Sequence, residues 1–176
     1  MLIRPATRAD LPAVATVVTA AIEALQQGYL DPQQIESSRA IMGVDTRLID
    51  DGTYFVVETT DRTLAGCGGW SRRATVYGGD HSTGRDDKLL DPATEPARIR
   101  AMYTDPAYAR RGVGRLVLSR CEEAARAEGF TSLELVATLA GEPLYTAAGF
   151  TPVHRFTDAT GGAPVPLIKM RKPLEP

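Results

Sequence analysis

Residues 97–130, ARIRAMYTDPAYARRGVGRLVLSRCEEAARAEGF, constrain the fold of this chain more than any other segment. Polarity alternates with a period of two over the first eight residues, which indicates a strand. The Asp105-Pro106 pair ends that strand, because proline lacks an N–H and disfavours helical geometry in the residue before it. Apolar residues then recur at helical spacing from Val113 onward, and Gly129 supplies the C-terminal stop. The segment therefore predicts a strand, a tight turn and a helix.

The turn between this strand and helix combines two glycines with three arginines. Its residues are Arg110, Arg111, Gly112, Val113, Gly114 and Arg115. Glycines at a helix start let backbone N–H groups surround an anion, and the helix dipole favours negative charge there. The spacing is neither that of a nucleotide P-loop nor that of a dinucleotide fingerprint. We predict a phosphate-binding turn; the alternative is a surface helix whose arginines are only solvated.

The turn resembles the central motif of the GCN5-related N-acetyltransferase (GNAT) superfamily. That motif, Gln/Arg-x-x-Gly-x-Gly/Ala, follows a strand, opens a helix and binds the pyrophosphate of acetyl-coenzyme A. Gly112 and Gly114 match its two small positions, whereas Ala109 stands where the family usually has Gln or Arg. A second resemblance lies in residues 141–150, GEPLYTAAGF, which are similar to the family's Leu/Phe-Tyr-x-x-x-Gly-Phe segment. The order and spacing of both motifs fit, and the resemblance spans nearly the whole chain.

The resemblance implies a mixed α/β (α+β) fold with a central, mostly antiparallel sheet and helices on both faces. One parallel pair of strands is expected to be splayed, with a bulge in the strand before the turn. We predict a single domain over residues 1–176, because this length suits one core better than two. Periodicity and turn residues predict further strands at 2–4, 53–58, 63–70, 132–137, 150–156 and 166–171, and further helices near Asp10, after Asp31 and at 142–148.

Two stretches of the chain depart from ordinary strands and turns. Gly66, Gly68 and Gly69 lie within one predicted strand, where glycines often mark a bulge or the close approach of another group. Residues 72–96 form a long polar connection, which in a compact domain is usually a lid or a mobile segment. Family members have a short turn there, so we expect this insertion to fold over the acceptor site or to mediate dimer contacts. The aspartates around His81 lack the spacing of metal ligands, and we predict no metal site.

The resemblance implies that coenzyme A binds between two strands. Its pantetheine arm is expected to bind like an additional strand, along the backbone of Met102, Tyr103 and Thr104. Thr138, on the facing strand, is expected to line the other side of the arm, and residues 110–115 to hold the pyrophosphate. A backbone N–H aimed at the thioester oxygen would stabilise the negative charge that develops there during acyl transfer.

Tyr145 matches the family's tyrosine near the coenzyme sulfur, which is usually assigned as the general acid. A phenol has an ordinary pKa of about 10 and a thiol one of about 8.5, so proton transfer to the thiolate is uphill in water. Positioning must therefore assist the transfer. The alternative is a tyrosine that only packs a short helix.

The general base is not evident from the sequence. Many family members have a glutamate near the position of Arg98, and arginine cannot accept a proton. The role would then pass to another group or to an ordered water chain. Glu134, Glu58 and His81 are the candidates, although such carboxylates are more often plain solvated charges.

Three further side chains are candidates for contacts with the acceptor. Arg98 and Arg100 lie on a central strand, where buried charges need paired partners or a wet cavity. We hypothesise that at least one of them faces the acceptor pocket and selects a carboxylate or phosphate. The alternative is a structural salt bridge with Glu58 or Glu134. Trp70 is either an anchor in the core or rim or a wall of the acceptor site.

Composition narrows the function classes. A formal net charge of −2 argues against a nucleic-acid-binding surface. No stretch approaches the length of a membrane span, and the N-terminus lacks a signal-peptide pattern, so a cytoplasmic protein without membrane contact is expected. The two cysteines are too few for a disulfide framework, and neither has an evident base beside it, so no covalent intermediate is indicated.

The sequence thus predicts an enzyme that uses acetyl-coenzyme A to acetylate a primary amine by direct attack. The acceptor, a small molecule or a peptide, is left open: antibiotic, polyamine, amino acid and protein N-terminus all remain. The alternative is a domain that binds coenzyme A or acyl-coenzyme A without turnover, as a sensor or a partner subunit. Transfer of a bulkier acyl group is a third interpretation. Because family members often dimerise through their closing strands, the resemblance also implies a homodimer.

Overall fold

Seven strands form one sheet in the computed structural model, which describes residues 1–176. Along the sheet the strands follow the order β1-β2-β3-β4-β5-β7-β6. Only β4 and β5 pair in parallel; every other neighbouring pair is antiparallel. The strands are β1 (Leu2–Pro5), β2 (Tyr54–Glu58), β3 (Leu64–Ser71), β4 (Ala97–Thr104), β5 (Ser132–Thr138), β6 (Thr151–Asp158) and β7 (Val165–Pro173). The predicted mostly antiparallel sheet with one parallel pair is confirmed.

Five α-helices accompany the sheet, and none has the length and hydrophobicity needed to cross a bilayer. Two of them begin as the sequence predicts: Asp31 caps α2 through its carboxylate, and α4 follows the glycine turn. The five-residue α3 was not predicted, because so short a segment shows no helical periodicity. The helices are α1 (Leu11–Ala24), α2 (Pro32–Ser38), α3 (Thr46–Asp50), α4 (Val113–Ala127) and α5 (Glu142–Ala147).

Helices cover both faces of the sheet, as expected. Consecutive residues of β2 divide between two clusters of buried side chains, Tyr54 and Val56 in one and Phe55 and Val57 in the other. Because neighbouring strand residues point to opposite faces, these clusters lie on opposite sides of the sheet. The apolar stripe of α1 packs into the first cluster and that of α4 into the second.

A bulge in β4 separates it from β5. Gly69 pairs with Arg100 and Cys67 with Tyr103, so two residues, Ala101 and Met102, lie opposite Gly68 alone. Ala101 adopts a φ of 50°, in the left-handed region that a non-glycine residue rarely occupies. Pairing between β4 and β5 is limited to their first residues, Ala97–Leu133 and Arg98–Glu134. Beyond this point the two strands diverge, which confirms the expected splayed pair.

The glycines of β3 bring α4 close to the sheet. A Cβ at position 66 would lie 2.5 Å from Val113 Cγ1, and one at position 68 would lie 2.9 Å from Val117 Cγ1 and would overlap Met102 Sδ. Such distances leave no room for a side chain, so both positions require glycine. The predicted close approach is therefore confirmed, and it fixes the start of α4 directly beside the bulge.

Candidate active site

A cavity of about 120 Å³ lies where β4 and β5 diverge. Residues 99–103 of β4 and residues 135–138 of β5 form two of its walls. Gly141 and Tyr145, at the start of and within α5, form a third wall. Ile41, Met42, residues 76–78 of the insertion and Leu167 complete it. Backbone groups of the splayed strands that face this gap have no strand partner, so an extended ligand could hydrogen-bond to them.

The cavity brings together several of the residues that the sequence analysis singled out. Met102, Tyr103, Thr138, Tyr145 and Arg100 all line it. The other candidates on the strands do not: Thr104, Trp70, Arg98 and Glu134 lie outside its lining.

The glycine turn presents a row of unpaired donors. Gly112 is the N-cap of α4 with a φ of 84°, and Arg110 also has a positive φ of 64°. From Arg110 onward, Leu116 is the first residue whose backbone N–H has an acceptor within the protein; it donates to the carbonyl of Gly112. The six N–H groups of residues 110–115 are thus free, and the arginines among them are exposed. This arrangement suits an anion with several oxygens.

The glycine turn lies next to the helix that carries Tyr145. A Cβ at position 114 would come within 2.8 Å of Leu144 Cδ2, so the first turn of α4 packs directly against α5. The two motifs, about thirty residues apart in the sequence, therefore meet in the fold.

Tyr145 has a buried ring and an uncommitted hydroxyl. The residue is 8% exposed, and its ring packs edge-on against that of Phe150, with centroids 5.9 Å apart. The hydroxyls of Tyr77 and Tyr103, which line the same cavity, are hydrogen-bonded within the protein, whereas no protein group bonds to the hydroxyl of Tyr145. Burial raises the pKa of Tyr145 above its ordinary value, so its proton is retained at neutral and moderately alkaline pH.

Arg100 belongs to a buried ion-pair network. One of its guanidinium nitrogens, Nη2, donates to Asp45 Oδ2 at 2.7 Å and to the carbonyl of Gly78 at 3.1 Å. Arg85 donates to the other oxygen of Asp45 at 2.9 Å, and the Asp45 side chain is only 1% exposed. Burial lowers the pKa of Arg100, and the charge of Asp45 opposes that shift. Arg100 therefore forms a structural ion pair, but its partner is Asp45 and neither of the glutamates named in the sequence analysis.

Arg98 forms the ion pair that the sequence analysis named as its alternative. Its Nη1 lies 3.3 Å from Glu134 Oε1, across the paired start of β4 and β5. Glu134 is also bonded by Arg171 and is 3% exposed, so its carboxylate is held by cations away from the cavity.

None of the candidate bases lies at the cavity. Glu58 accepts a hydrogen bond from Arg4 at 2.7 Å, and His81 Nε2 lies 2.9 Å from the carbonyl of Arg39. With Glu134 bound to its arginines, the cavity lining contains no carboxylate and no imidazole. The arrangement supplies a proton donor, Tyr145, without a matching proton acceptor.

Trp70 is placed in the core. It is 2% exposed, its ring meets Phe130 edge-on at 5.9 Å, and the guanidinium of Arg72 lies 5.2 Å from the ring centroid. Trp70 therefore has the contacts of a core anchor and not those of a wall of the cavity.

The insertion 72–96 is folded back on itself and onto α3. Backbone hydrogen bonds join Ala74 to Lys88 and Leu90 to Arg72, at 2.9 and 2.8 Å. Asp80 accepts from the backbone N–H of Thr46 at 3.0 Å, which ties the loop to the start of α3. Residues 76–78 of the insertion line the cavity. The inner part of the insertion thus forms one wall of the cavity.

Sequence reasoning missed Asp45 and the inner residues of the insertion. Asp45 accepts from the N–H of Arg47 at the start of α3 and carries only the signal of a helix cap, which does not reveal its two arginine partners. Val76 and Tyr77 lie in a polar stretch without periodicity, so nothing local indicated that they face a cavity.

Comparison with known proteins identifies the family. Residues 18–150 match the model of the acetyltransferase (GNAT) family, and the chain therefore belongs to that family. Its members are acetyltransferases. Among curated proteins, none matches the sequence.

Solved structures of acetyltransferases share the fold. A GCN5-related N-acetyltransferase from Rhodopseudomonas palustris is 21% identical with a TM-score of 0.73, covering 98% of this chain and 95% of that one. The ribosomal-protein-alanine N-acetyltransferase from Brucella melitensis is 20% identical with a TM-score of 0.66, covering 99% and 100%. The PaiA N-acetyltransferase from Thermoplasma acidophilum, solved in complex with coenzyme A, is 17% identical with a TM-score of 0.64, covering 98% of both chains.

Replacing Asp45 by Asn should destabilise the fold, because it leaves Arg100 buried and charged without its counter-ion. The free energy of unfolding should fall by about 3–5 kcal/mol, measured by urea denaturation. Asp50→Asn is the matched control, since Asp50 pairs with Arg8 on the surface, and this variant should unfold at nearly the same urea concentration as wild type. Equal losses in the two variants would contradict the central role of Asp45.

Proposed function

We propose that this protein transfers the acetyl group of acetyl-coenzyme A to a primary amine by direct attack. One observation carries the proposal: the free donors of the glycine turn lie beside the helix that presents an unbonded hydroxyl to the gap between β4 and β5. The six unpaired backbone N–H groups of residues 110–115 lead into α4, whose first turn packs against Leu144 of α5, and the hydroxyl of Tyr145 on α5 lies within the cavity. A thioester with a diphosphate at its far end requires donors at both places.

The residues present fit coenzyme A. Residues 110–115 would hold the pyrophosphate through backbone N–H groups, with Arg110, Arg111 and Arg115 adding positive charge. Val113 is buried and anchors the turn, while its neighbours remain open to solvent. Met102, Tyr103 and Thr138 line the gap where the pantetheine arm would lie; Thr104, just beyond the lining, pairs with Gly66 of β3.

The chemistry follows from what lines the cavity. The thioester supplies the acetyl group, and a backbone N–H of the bulged strand would stabilise the negative charge that develops on its oxygen. Tyr145 would donate its proton to the departing thiolate, since its hydroxyl is free and its burial keeps it protonated. The proton that the attacking nitrogen loses would return to Tyr145 through water, so the amide and the free thiol form with no net change in protons. Because no carboxylate or imidazole lines the cavity, the amine would enter in its neutral form. Neither cysteine takes part, as both are buried and burial raises their pKa values.

A second candidate function is binding of coenzyme A or acyl-coenzyme A without turnover. Two observations favour it: Ala109 replaces the usual Gln or Arg, and the cavity lacks a general base. The free hydroxyl of Tyr145 supports turnover instead. Thiol release in the presence of primary amines distinguishes the two functions.

Gly112→Ala should weaken the binding of coenzyme A by at least about tenfold, because a side chain strains the backbone that aims the free N–H groups. Gly28→Ala is the matched control: Gly28 has nearly the same φ, 87°, and the same open space around its Cβ position, but lies far from the turn in sequence and outside the cavity. Titration calorimetry measures both. Equal affinities in the two variants would contradict the assignment of the turn.

Tyr145→Phe should lower kcat by about 10²- to 10⁴-fold, because it removes the proton donor for the thiolate and leaves the ring packing intact. The affinity for coenzyme A should remain within a factor of two or so of wild type. Tyr29→Phe, at an exposed position, is the control and should retain wild-type kcat. A Tyr145→Phe variant with unchanged kcat would show that another group protonates the thiolate.

The pH dependence of kcat/KM should reflect the acceptor and not an enzymic base. Activity should rise with pH as the amine loses its proton, since alkylamines have pKa values near about 10. Because burial raises the pKa of Tyr145, its deprotonation should cause no decline below about pH 10. Steady-state rates between pH 6 and 10 measure this. A plateau beginning below pH 8 would reveal a base that the cavity lining does not show.

A further inference from the structure

The cavity extends beyond the gap between β4 and β5. Past the strands, its wall is formed by Ile41 and Met42, by Val76, Tyr77 and Gly78 of the insertion, and by Leu167. If the pantetheine arm occupies the gap, this wall is what an acceptor amine meets as it approaches the thioester. Apart from the hydroxyl of Tyr77 and backbone groups, the wall is apolar.

No free charge lies on this wall. Thirteen of the 17 residues that line the whole cavity are hydrophobic, and Arg100 is the one residue among them with a charged side chain. Its side chain is 2% exposed and is held by Asp45 and by the carbonyls of Gly78 and Thr75. The Arg100 Nε has no acceptor and is enclosed by protein. The charge of Arg100 is already balanced by Asp45 and no carboxylate lines the cavity, so a second charge on the acceptor would be buried without an ion-pair partner, which is costly.

Tyr77 is held in this wall by contacts of its side chain with β6. Its ring packs against Phe156 with centroids 6.2 Å apart, and its hydroxyl donates to Asp158 Oδ2 at 2.7 Å. Burial raises the pKa of Tyr77 to about 12, with Asp158 acting in the same direction, so the hydroxyl keeps its proton and this bond. The side chain of Tyr77 therefore ties the insertion to β6.

Arginines fix the chain on the other side of Tyr77. Arg100 donates to the carbonyl of Gly78 at 3.1 Å, and Arg85 donates to that of Gly79 at 2.7 Å. Asp45 binds both arginines, so the segment that follows Tyr77 is tied to the buried ion-pair network. The apolar wall is thus a built surface and not a loose loop.

We propose that the acceptor carries its primary amine on an uncharged, apolar group, and that Tyr77 is the residue that selects this group. The inference rests on the proposed acetyl transfer and adds the class of acceptor to it. It favours alkylamines and arylalkylamines over polyamines and over free amino acids.

The test compares pairs of acceptors that differ by one charge, with the full chain, acetyl-coenzyme A and release of free thiol as the readout. 3-Methylbutylamine is paired with leucine, which adds a carboxylate, and butylamine with 1,4-diaminobutane, which adds an ammonium group. The uncharged member of each pair should have the higher kcat/KM by at least about 100-fold, since the charged group has no partner in the cavity. Rates are compared at equal concentrations of the neutral amine, so that differences in amine pKa do not enter.

Variants at Tyr77 test the selecting residue. Tyr77→Ala removes the ring and should raise the KM for 3-methylbutylamine by more than about tenfold while the KM for acetyl-coenzyme A stays near wild type. Tyr77→Phe keeps the ring and loses only the bond to Asp158, so it should retain the preference for uncharged amines. A Tyr77→Ala variant that shifts both KM values equally would overturn the role of Tyr77.

The outcomes separate this inference from the proposed function. If no amine accelerates thiol release although calorimetry detects bound coenzyme A, the proposed transfer fails and the inference fails with it. If amines are acetylated but leucine or 1,4-diaminobutane equals or exceeds its uncharged counterpart, the transfer stands and the inference is overturned. The acceptor panel needs only the wild-type chain, so this result does not depend on how the variants fold.

Discussion

The bulge of β4 determines where this sheet opens. Ala101 and Met102 share a single partner, Gly68, and Ala101 takes up a left-handed conformation that costs free energy for any residue but glycine. Gly68 tolerates the crowding because it has no side chain to collide with Met102 or with Val117 of α4. Without the bulge, β4 and β5 would continue to pair, and the gap between them would be closed.

Two different kinds of interaction complete the site around this gap. At one end, packing matters: Gly114 lets α4 lie against Leu144, which places the free N–H groups of the turn beside the helix of Tyr145. At the other end, buried charge matters, because Asp45 joins Arg85 and Arg100 and these arginines hold the backbone of the insertion. Replacing such a network by apolar residues often costs little, whereas removing one member leaves a buried charge unpaired. The network thus acts on the position of the cavity wall more than on the chemistry inside it.

The sequence predicted the parts of the structure that depend on local signals. Periodicity and turn residues were sufficient for the strand–turn–helix unit and its two glycines, whereas the family resemblance of residues 141–150 indicated Tyr145. An ion pair of Arg98 with Glu58 or Glu134 was foreseen as an alternative, and the register of the parallel strands selects Glu134. Asp45 and Arg100 are 55 residues apart and belong to elements without a predictable contact, so their ion pair could not be read from the sequence. The path of the insertion was equally hidden, since polar loops follow no period and their buried residues, such as Tyr77, give no local signal.

The central claim is that the free backbone N–H groups of residues 110–115 bind a diphosphate and so direct a thioester along β4 toward Tyr145. Amide chemical shifts followed during a titration with coenzyme A test this claim most directly, because they report on the individual N–H groups. The largest shifts should fall on residues 110–115, together with the backbone of residues 99–103 beside the gap. A saturable titration whose shifts leave both segments unchanged, or the absence of any shift at millimolar coenzyme A, would contradict the claim.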